Sequence, residues 1–220
     1  MSERIVIAVP GNLANLRVRQ TEREREMSPL GAGQTSWIGV LLIPYQFNSL
    51  IVSDTVSTRQ AFRNFVGRGS RPSLPVETKL RSLFPAGINY PKLSKLVTDT
   101  ESVKLADISR DEVVRDELDQ YIENVWSEMS GPFSRRDGAV SNEWSTLIVS
   151  HPIVSQALLL FLLDRLRTVP ESVSSNIKNI TLGEADAIVA EIADDGAVKI
   201  THLKGSPLQL KINYLLNGLG

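Results

Sequence analysis

Strand-type segments sit at both ends of this chain and helix-type segments fill its middle, and that order limits the fold more than any other feature of the sequence. Residues 4–9 (RIVIAV) are apolar and largely β-branched, and Pro10-Gly11-Asn12 after them signals a turn. The alternation from Leu16 to Gln20 predicts a half-buried strand and so an N-terminal hairpin. SPLGAGQTS (28–36) has the composition of a loop. WIGVLLIPY (37–45) and SLIVS (49–53) then predict a second strand pair, the first member buried on both faces. At the far end, Ala197–Leu203, a KGSP connection and the strictly alternating 208–214 predict a C-terminal hairpin.

Helices are expected between these ends. One starts at Asp54 or Thr55 and reaches Val66, and a short one lies near Val76–Phe84. The longest runs from Ser109 to Met129, with Ser109 and Glu112 in capping-box spacing and an apolar stripe through Val113, Val114, Leu118, Tyr121, Ile122, Val125 and Met129. Pro152 opens another that ends near Arg167, and Leu182–Ala193 predicts the last. The expected fold class is α+β: a mainly antiparallel sheet built from the N-terminal and C-terminal hairpins, with a central group of helices packed on it. No regular strand–helix alternation argues for a doubly wound nucleotide-binding sheet. Residues 1–220 read as a single domain, with an internal sub-boundary in the polar loop 131–142.

Charge is sorted along the chain although the net charge is only −1. Arg59, Arg63, Arg68, Arg71, Lys79 and Arg81 form a basic block that continues to Lys95. The stretch from Asp99 to Glu128 is acidic and centres on Asp111, Glu112, Asp116, Glu117 and Asp119. Opposed blocks of this kind attract each other within one molecule or between copies, and the basic one also suits a polyanion. Arg59 and Arg63 stand four apart on a helix, Arg68 and Arg71 follow on a glycine-rich loop, and phenylalanines interleave with them, a pattern that would clamp phosphates and stack on bases. The near-neutral whole chain lacks the basic excess of a dedicated nucleic-acid binder, which favours protein contacts.

Catalytic and cofactor motifs fail on inspection. The chain has no cysteine, which removes disulfides, thiolate metal sites and cysteine nucleophiles. Gly31-Ala32-Gly33-Gln34-Thr35-Ser36 echoes a phosphate-binding loop, but Gln34 stands where its lysine belongs. Ser150-His151 lacks a Gly-x-Ser-x-Gly elbow, and His202 lies far away in sequence, so a Ser–His hydrolase is set aside. The acids at 111–119 fan around a helix and cannot converge on one metal ion. A winged-helix arrangement at the C-terminus would carry an acidic second helix unsuited to DNA. Leu147 to Leu163 is too short and too polar for a membrane span and reads as a core helix. The N-terminal apolar run is too short for a secretory signal, so a cytoplasmic protein of the producing or host cell is expected.

These readings lead to a non-enzymatic structural subunit of a multi-copy complex, such as a capsid or tail particle. Its partners would be copies of itself or other subunits, with no catalytic residue, no metal, no cofactor and no membrane. The alternatives are a nucleoprotein using Arg59–Arg81, and an enzyme whose site is assembled from scattered residues.

Overall fold

The computed structural model of the chain describes residues 2–66 except 16, 46 and 48, then 78–81, 89–99, 104–134 except 109, 143–166 and 169–205. Its centre is a six-stranded mixed sheet. The strands are β1 (Ser2–Ala8), β2 (Ser49–Ser53), β3 (Thr78–Arg81), β4 (Glu143–Val149), β5 (Ala187–Ile192) and β6 (Val198–Leu203). They lie side by side in the order β3-β2-β4-β1-β5-β6. The first four run parallel, β5 is antiparallel to β1, and β6 is antiparallel to β5.

Strand β1 is apolar from Ile5 to Ala8 because both of its faces are covered. Ile5 and Ile7 join a core with Ile51, Ile148, Ile188 and the helices α5 (Glu112–Ser134) and α6 (Pro152–Leu166). Val6 and Ala8 point the other way, into a core with Leu50, Val52, Leu147 and the helices α1 (Pro29–Leu42) and α2 (Val56–Val66). Helices α3 (Pro91–Asp99), α4 (Leu105–Ile108) and α7 (Glu171–Asn179) lie on the α5/α6 side, where Leu93, Leu105 and Ile177 are buried.

The expected mainly antiparallel, hairpin-built sheet is therefore wrong, and each misreading has a local cause. The apolar run 37–45 belongs mostly to α1 and not to a strand. Ser28 caps that helix, accepting from Gly31 N at 3.1 Å, and Pro29 occupies its first turn. These two start signals outweigh the glycines at 31 and 33. Residues 17–20 turn (Gln20 N to Arg17 O, 3.0 Å) where a strand was expected. The segment expected as helix 182–193 contains β5, where the β-branched Ile188, Val189 and Ile192 decide against its helix-favouring Ala and Glu. It forms the hairpin with β6, its turn closed by Ala193 N to Ala197 O at 2.9 Å, with Gly196 at φ 86°.

The short helix expected near 76–84 is replaced by β3 at 78–81, and β4 was hidden in front of the apolar helix. Helices α2, α5 and α6 lie where the periodicity put them, but Val113, placed in the α5 stripe, is 48% exposed because it sits in the first turn, outside the buried face of Val114, Leu118, Tyr121, Ile122 and Val125. Ser109 is outside the described residues, and Asp111 caps α5 through Oδ1, to Val113 N at 3.1 Å and Val114 N at 3.3 Å. Residues 131–134 continue α5, whereas 135–142 and 208–214 fall outside the described residues. Among the described residues no helix is long and apolar enough to cross a membrane.

Packing across the sheet is tight enough to test. A Cβ on Gly39 would lie 2.6 Å from Asn64 O, so α1 and α2 touch backbone to backbone there. Gly39→Ala should destabilise by about 1–3 kcal/mol through overpacking. Leu159→Ala, at a wholly buried site on α6, should cost about 2–5 kcal/mol. Urea melts of the two variants measure both effects.

Candidate active site at the carboxyl edge of the parallel strands

The chain leaves β1 toward β2 on one side and leaves β4 toward β5 on the other, so the connections from the neighbouring strands β1 and β4 part at their carboxyl ends. Crevices of this kind, outside the carboxyl ends where connections part, are where open α/β sheets bind ligands. Ser150 N donates to Ala8 O at 3.1 Å and ties the two strand ends together. Val52 pairs with Val149, which places Ser53 beside Ser150 at the same edge.

Polar residues collect here although the strands behind them are apolar. Ser53, Thr55, Ser57, Thr58, Ser150 and Ser155 are all buried. Thr55 and Thr58 knot the start of α2: their hydroxyls are 2.8 Å apart, and Thr58 Oγ1 donates to Ser53 O at 2.8 Å. Ser53 Oγ and Ser155 Oγ are buried without a partner among the described residues, and so is Asp54 Oδ1. Unsatisfied hydroxyls in a folded interior are costly, about 1–3 kcal/mol each, and they ask for a reason. Asp54 Oδ2 is paired with Arg23, which sets a guanidinium at the crevice rim. Three helices begin at this edge: α2 after Thr55, α6 after His151, and α1, whose Gly31 packs against Gly11 in the turn after β1. Their positive ends favour an anion in the crevice.

His151 is the titratable group at the centre of this arrangement. It follows β4 after Ser150 alone and precedes the first residue of α6. The residue keeps intermediate exposure while its Nε2 is fully covered. Burial pushes the imidazole down from 6.5 to about 4, so it is neutral at neutral pH.

Two structural knots hold the loops around it. Asn12 N donates to Gln34 Oε1 at 2.8 Å, and Asn12 Nδ2 and Gln34 Nε2 both donate to Glu184, at 2.5 and 2.9 Å. Asp186, just before β5, contacts His202 Nε2 at 2.8 Å and accepts from Gly183 N at 2.9 Å and Gly205 N at 2.8 Å. Burial raises the Asp186 carboxyl, but the His202 contact and the Gly205 and Gly183 N–H groups outweigh it, leaving the pKa below the ordinary value. Among the described residues no group of three or more His, Asp and Glu side chains is placed to hold a metal.

The residues singled out from the sequence lie elsewhere. Arg59 and Arg63 are exposed on α2. Lys79 and Arg81 fall on β3, and Arg68 and Arg71 are outside the described residues. Asp111 serves as a helix cap, and Glu117 accepts from Leu93 N at 2.8 Å, capping α3. Arg115 pairs with Glu112 at 3.6 Å and Asp116 at 3.4 Å on its own helix, and Asp119 is exposed. The sheet separates α2 from α5, so Arg59 and Arg63 cannot pair with the acidic helix of the same molecule. For these two arginines the sheet closes off that pairing within one molecule, and Arg68 and Arg71 lie outside the described residues.

What the sequence missed is the crevice itself. As a dipeptide Ser150-His151 carries no hydrolase signature, and His202 is distant from it in sequence. The sheet brings β4, β1, β5 and β6 side by side and so sets both histidines at the same edge. The available signal was an apolar β-branched run, LIVSH, ending in a histidine just before a proline that starts a helix.

No protein-family model matches this sequence, and no curated protein matches it significantly. The fold does have counterparts among solved structures. A protein described as mycobacterial hydrolase 2 is 15% identical, with a TM-score of 0.58 over 98% of this chain and 97% of its own. The mycobacterial glucosyl-3-phosphoglycerate phosphatase is 14% identical, with a TM-score of 0.53 over 94% and 100%. A proposed SixA phosphohistidine phosphatase from Agrobacterium tumefaciens is 11% identical, with a TM-score of 0.52 over 93% and 98%. These are histidine phosphatase-fold proteins, and the mixed sheet with its mostly parallel centre is what this chain shares with them. This likeness of fold overturns the expected non-enzymatic structural or virion subunit.

The neutral state of His151 makes a pH prediction. Its folded pKa, about 4, lies below the unfolded value of 6.5, so the unfolded chain binds more protons between those values. The contribution of His151 to stability is complete above pH 6.5 and falls away as pH drops through that window toward 4. His151→Gln should flatten this part of the curve, measured as the difference between wild-type and variant melting profiles.

Proposed function

We propose that the protein is a hydrolase of phosphoryl groups or phosphate esters, with His151 as the proton-accepting residue in the crevice at the carboxyl edge of β1, β2 and β4. The observation that carries this reading is a neutral, largely buried imidazole set among buried hydroxyls and helix starts. The similar structures described as phosphatases and a hydrolase support it.

The chemistry follows from charge. The positive ends of the helices that start at this edge favour a phosphate. A phosphate beside His151 raises the pKa of the imidazole from its low resting value, because a neighbouring anion favours the charged form. The base thus gains proton affinity when substrate is in place. A water oxygen attacks phosphorus, its proton passes to the imidazole, the bond to the leaving oxygen breaks, and the imidazolium returns the proton to that oxygen.

Hydrolysis of p-nitrophenyl phosphate and of a panel of phosphorylated sugars and phosphohistidine peptides tests the proposal. His151→Gln should lower kcat/KM by about 10²–10⁴-fold with the far-ultraviolet circular dichroism unchanged. Absence of turnover across the panel, or full activity in His151→Gln, would overturn it.

A further inference from the structure

The loop that follows β1 is a small unit of its own. Residues 13–27 leave and rejoin the body of the protein at one point: Leu13 bridges Met27, Ala14 N donates to Glu26 O at 2.9 Å, and Ser28 N donates to Asn12 O at 2.8 Å. Side chains of the loop tie its interior. Thr21 N and Oγ1 both donate to Glu24 Oε2 at 2.9 Å, and Gln20 Oε1 accepts from Arg17 N at 3.0 Å. Arg25 Nε donates to Ala14 O at 2.8 Å, and Arg25 pairs with Glu22 at 3.4 Å. Loops with joined ends and internal packing of this kind are compact, and they are frequently functional. None of residues 22–24 is buried, and Val18 at the tip is 93% exposed.

The two places where this body is fastened decide what it covers. Its root lies just past β1, where Met27 N also donates to Gln60 Oε1 at 2.7 Å. Farther out, the Arg23 guanidinium pairs with Asp54, the residue directly after β2. The strand order puts β4 between β1 and β2. A body rooted after β1 and fastened after β2 therefore spans the end of β4, from which Ser150 and His151 emerge. His151 Nε2 is fully covered, so a proton cannot be accepted there until a neighbouring element moves.

We infer that loop 13–27 is a gate over the crevice and that the Arg23–Asp54 pair is its latch, which rests on the crevice around His151 being the site of the proposed hydrolase. The latch is closed at rest because Asp54 depends on it. Asp54 Oδ1 is buried without a partner among the described residues, and removing Arg23 would leave a partly buried carboxylate uncompensated. It can also be undone, because the Arg23 side chain is half-exposed and water and salt compete for it. Opening admits a substrate, and reclosure shields the reacting groups from bulk water.

Chemical modification and distance measurement together test the gate. Diethyl pyrocarbonate acylates uncharged, accessible imidazole, and the chain has only two histidines. His151 should react about two- to fivefold faster in Arg23→Gln and in Asp54→Asn, the ratio a weak ion pair supports. His202, on the outermost strand at the other side of β1, should keep its rate. Because the chain has no cysteine, nitroxide labels on Val18→Cys and Arg63→Cys, both exposed, report the separation of the loop from α2 by pulsed electron paramagnetic resonance. Arg23→Gln should add a longer-distance population. About 1 M sodium chloride should do the same to the labelled chain that keeps Arg23, and should add nothing further to Arg23→Gln. Unchanged distances or an unchanged His151 rate would refute the inference. A loop that moves without uncovering His151 is no gate, and a faster His151 beside an unmoved loop reflects a local effect. Neither readout uses a substrate, so absence of turnover on phosphate esters would end the hydrolase reading and leave both measurements standing.

Discussion

The rest of this structure depends on the burial of β1 between β4 and β5. Its residues from Ile5 to Ala8 have no exposed surface, and its backbone groups find partners only on strands that lie far along the chain. A strand with both faces covered and both edges paired cannot form early from local contacts. It must wait for β4 and β5, and the loop-closure entropy of bringing them in is offset only when the two apolar layers are in place. The helices are therefore sorted by the face of β1 they cover: α1 and α2 over Val6 and Ala8, α5 and α6 over Ile5 and Ile7.

That sorting changes the meaning of the charge pattern. Neighbouring blocks of opposite sign invite the expectation of mutual pairing, but the basic helix α2 and the acidic helix α5 are divided by a sheet of low dielectric. The acids satisfy local needs instead. Asp111 and Glu117 cap helices, and Glu112 and Asp116 meet Arg115. Exposed pairs of the last kind contribute about 0–1 kcal/mol, too little to direct an assembly by themselves.

Helices α2, α5 and α6 were legible because each has a long 3.6-residue pattern or a continuous apolar run with start signals at the right place. Strand β1 was legible for its β-branched run. The architecture was not, because two segments carried conflicting local signals. In α1 the glycines suggested a loop and the Ile and Val residues a strand, while only Ser28-Pro29 announced a helix. In β5 the alanines and Glu191 suggested a helix, and pairing with β1 overrode them. With α1 read as strand and β5 as helix, the crossover from β1 to β2 disappears, and the parallel centre of the sheet with it. The crevice could not be found without that centre. Ser53, His151 and Asp186 lie far apart in sequence and share an edge only through the strand order.

The crevice also opposes stability, which is the strongest reason to regard it as functional. Burying Ser53 and Ser155 hydroxyls without partners disfavours the folded state, and the neutral His151 does so below pH 6.5, where the unfolded chain binds the proton. Alanine at the serines would relieve the first penalty with little change in volume. The fold tolerates these groups because the two apolar layers on either side of β1 supply an ample reserve. Buried polar atoms without a partner occur elsewhere too, at Arg4 Nε and Thr146 Oγ1, so an unpaired atom alone does not mark a site. Ser53, Asp54 and Ser155 differ in lying where β2 and β4 end and two helices begin, the edge at which the strand order sends the connections apart. Unsatisfied groups at such an edge are what a ligand with oxygens to share would relieve.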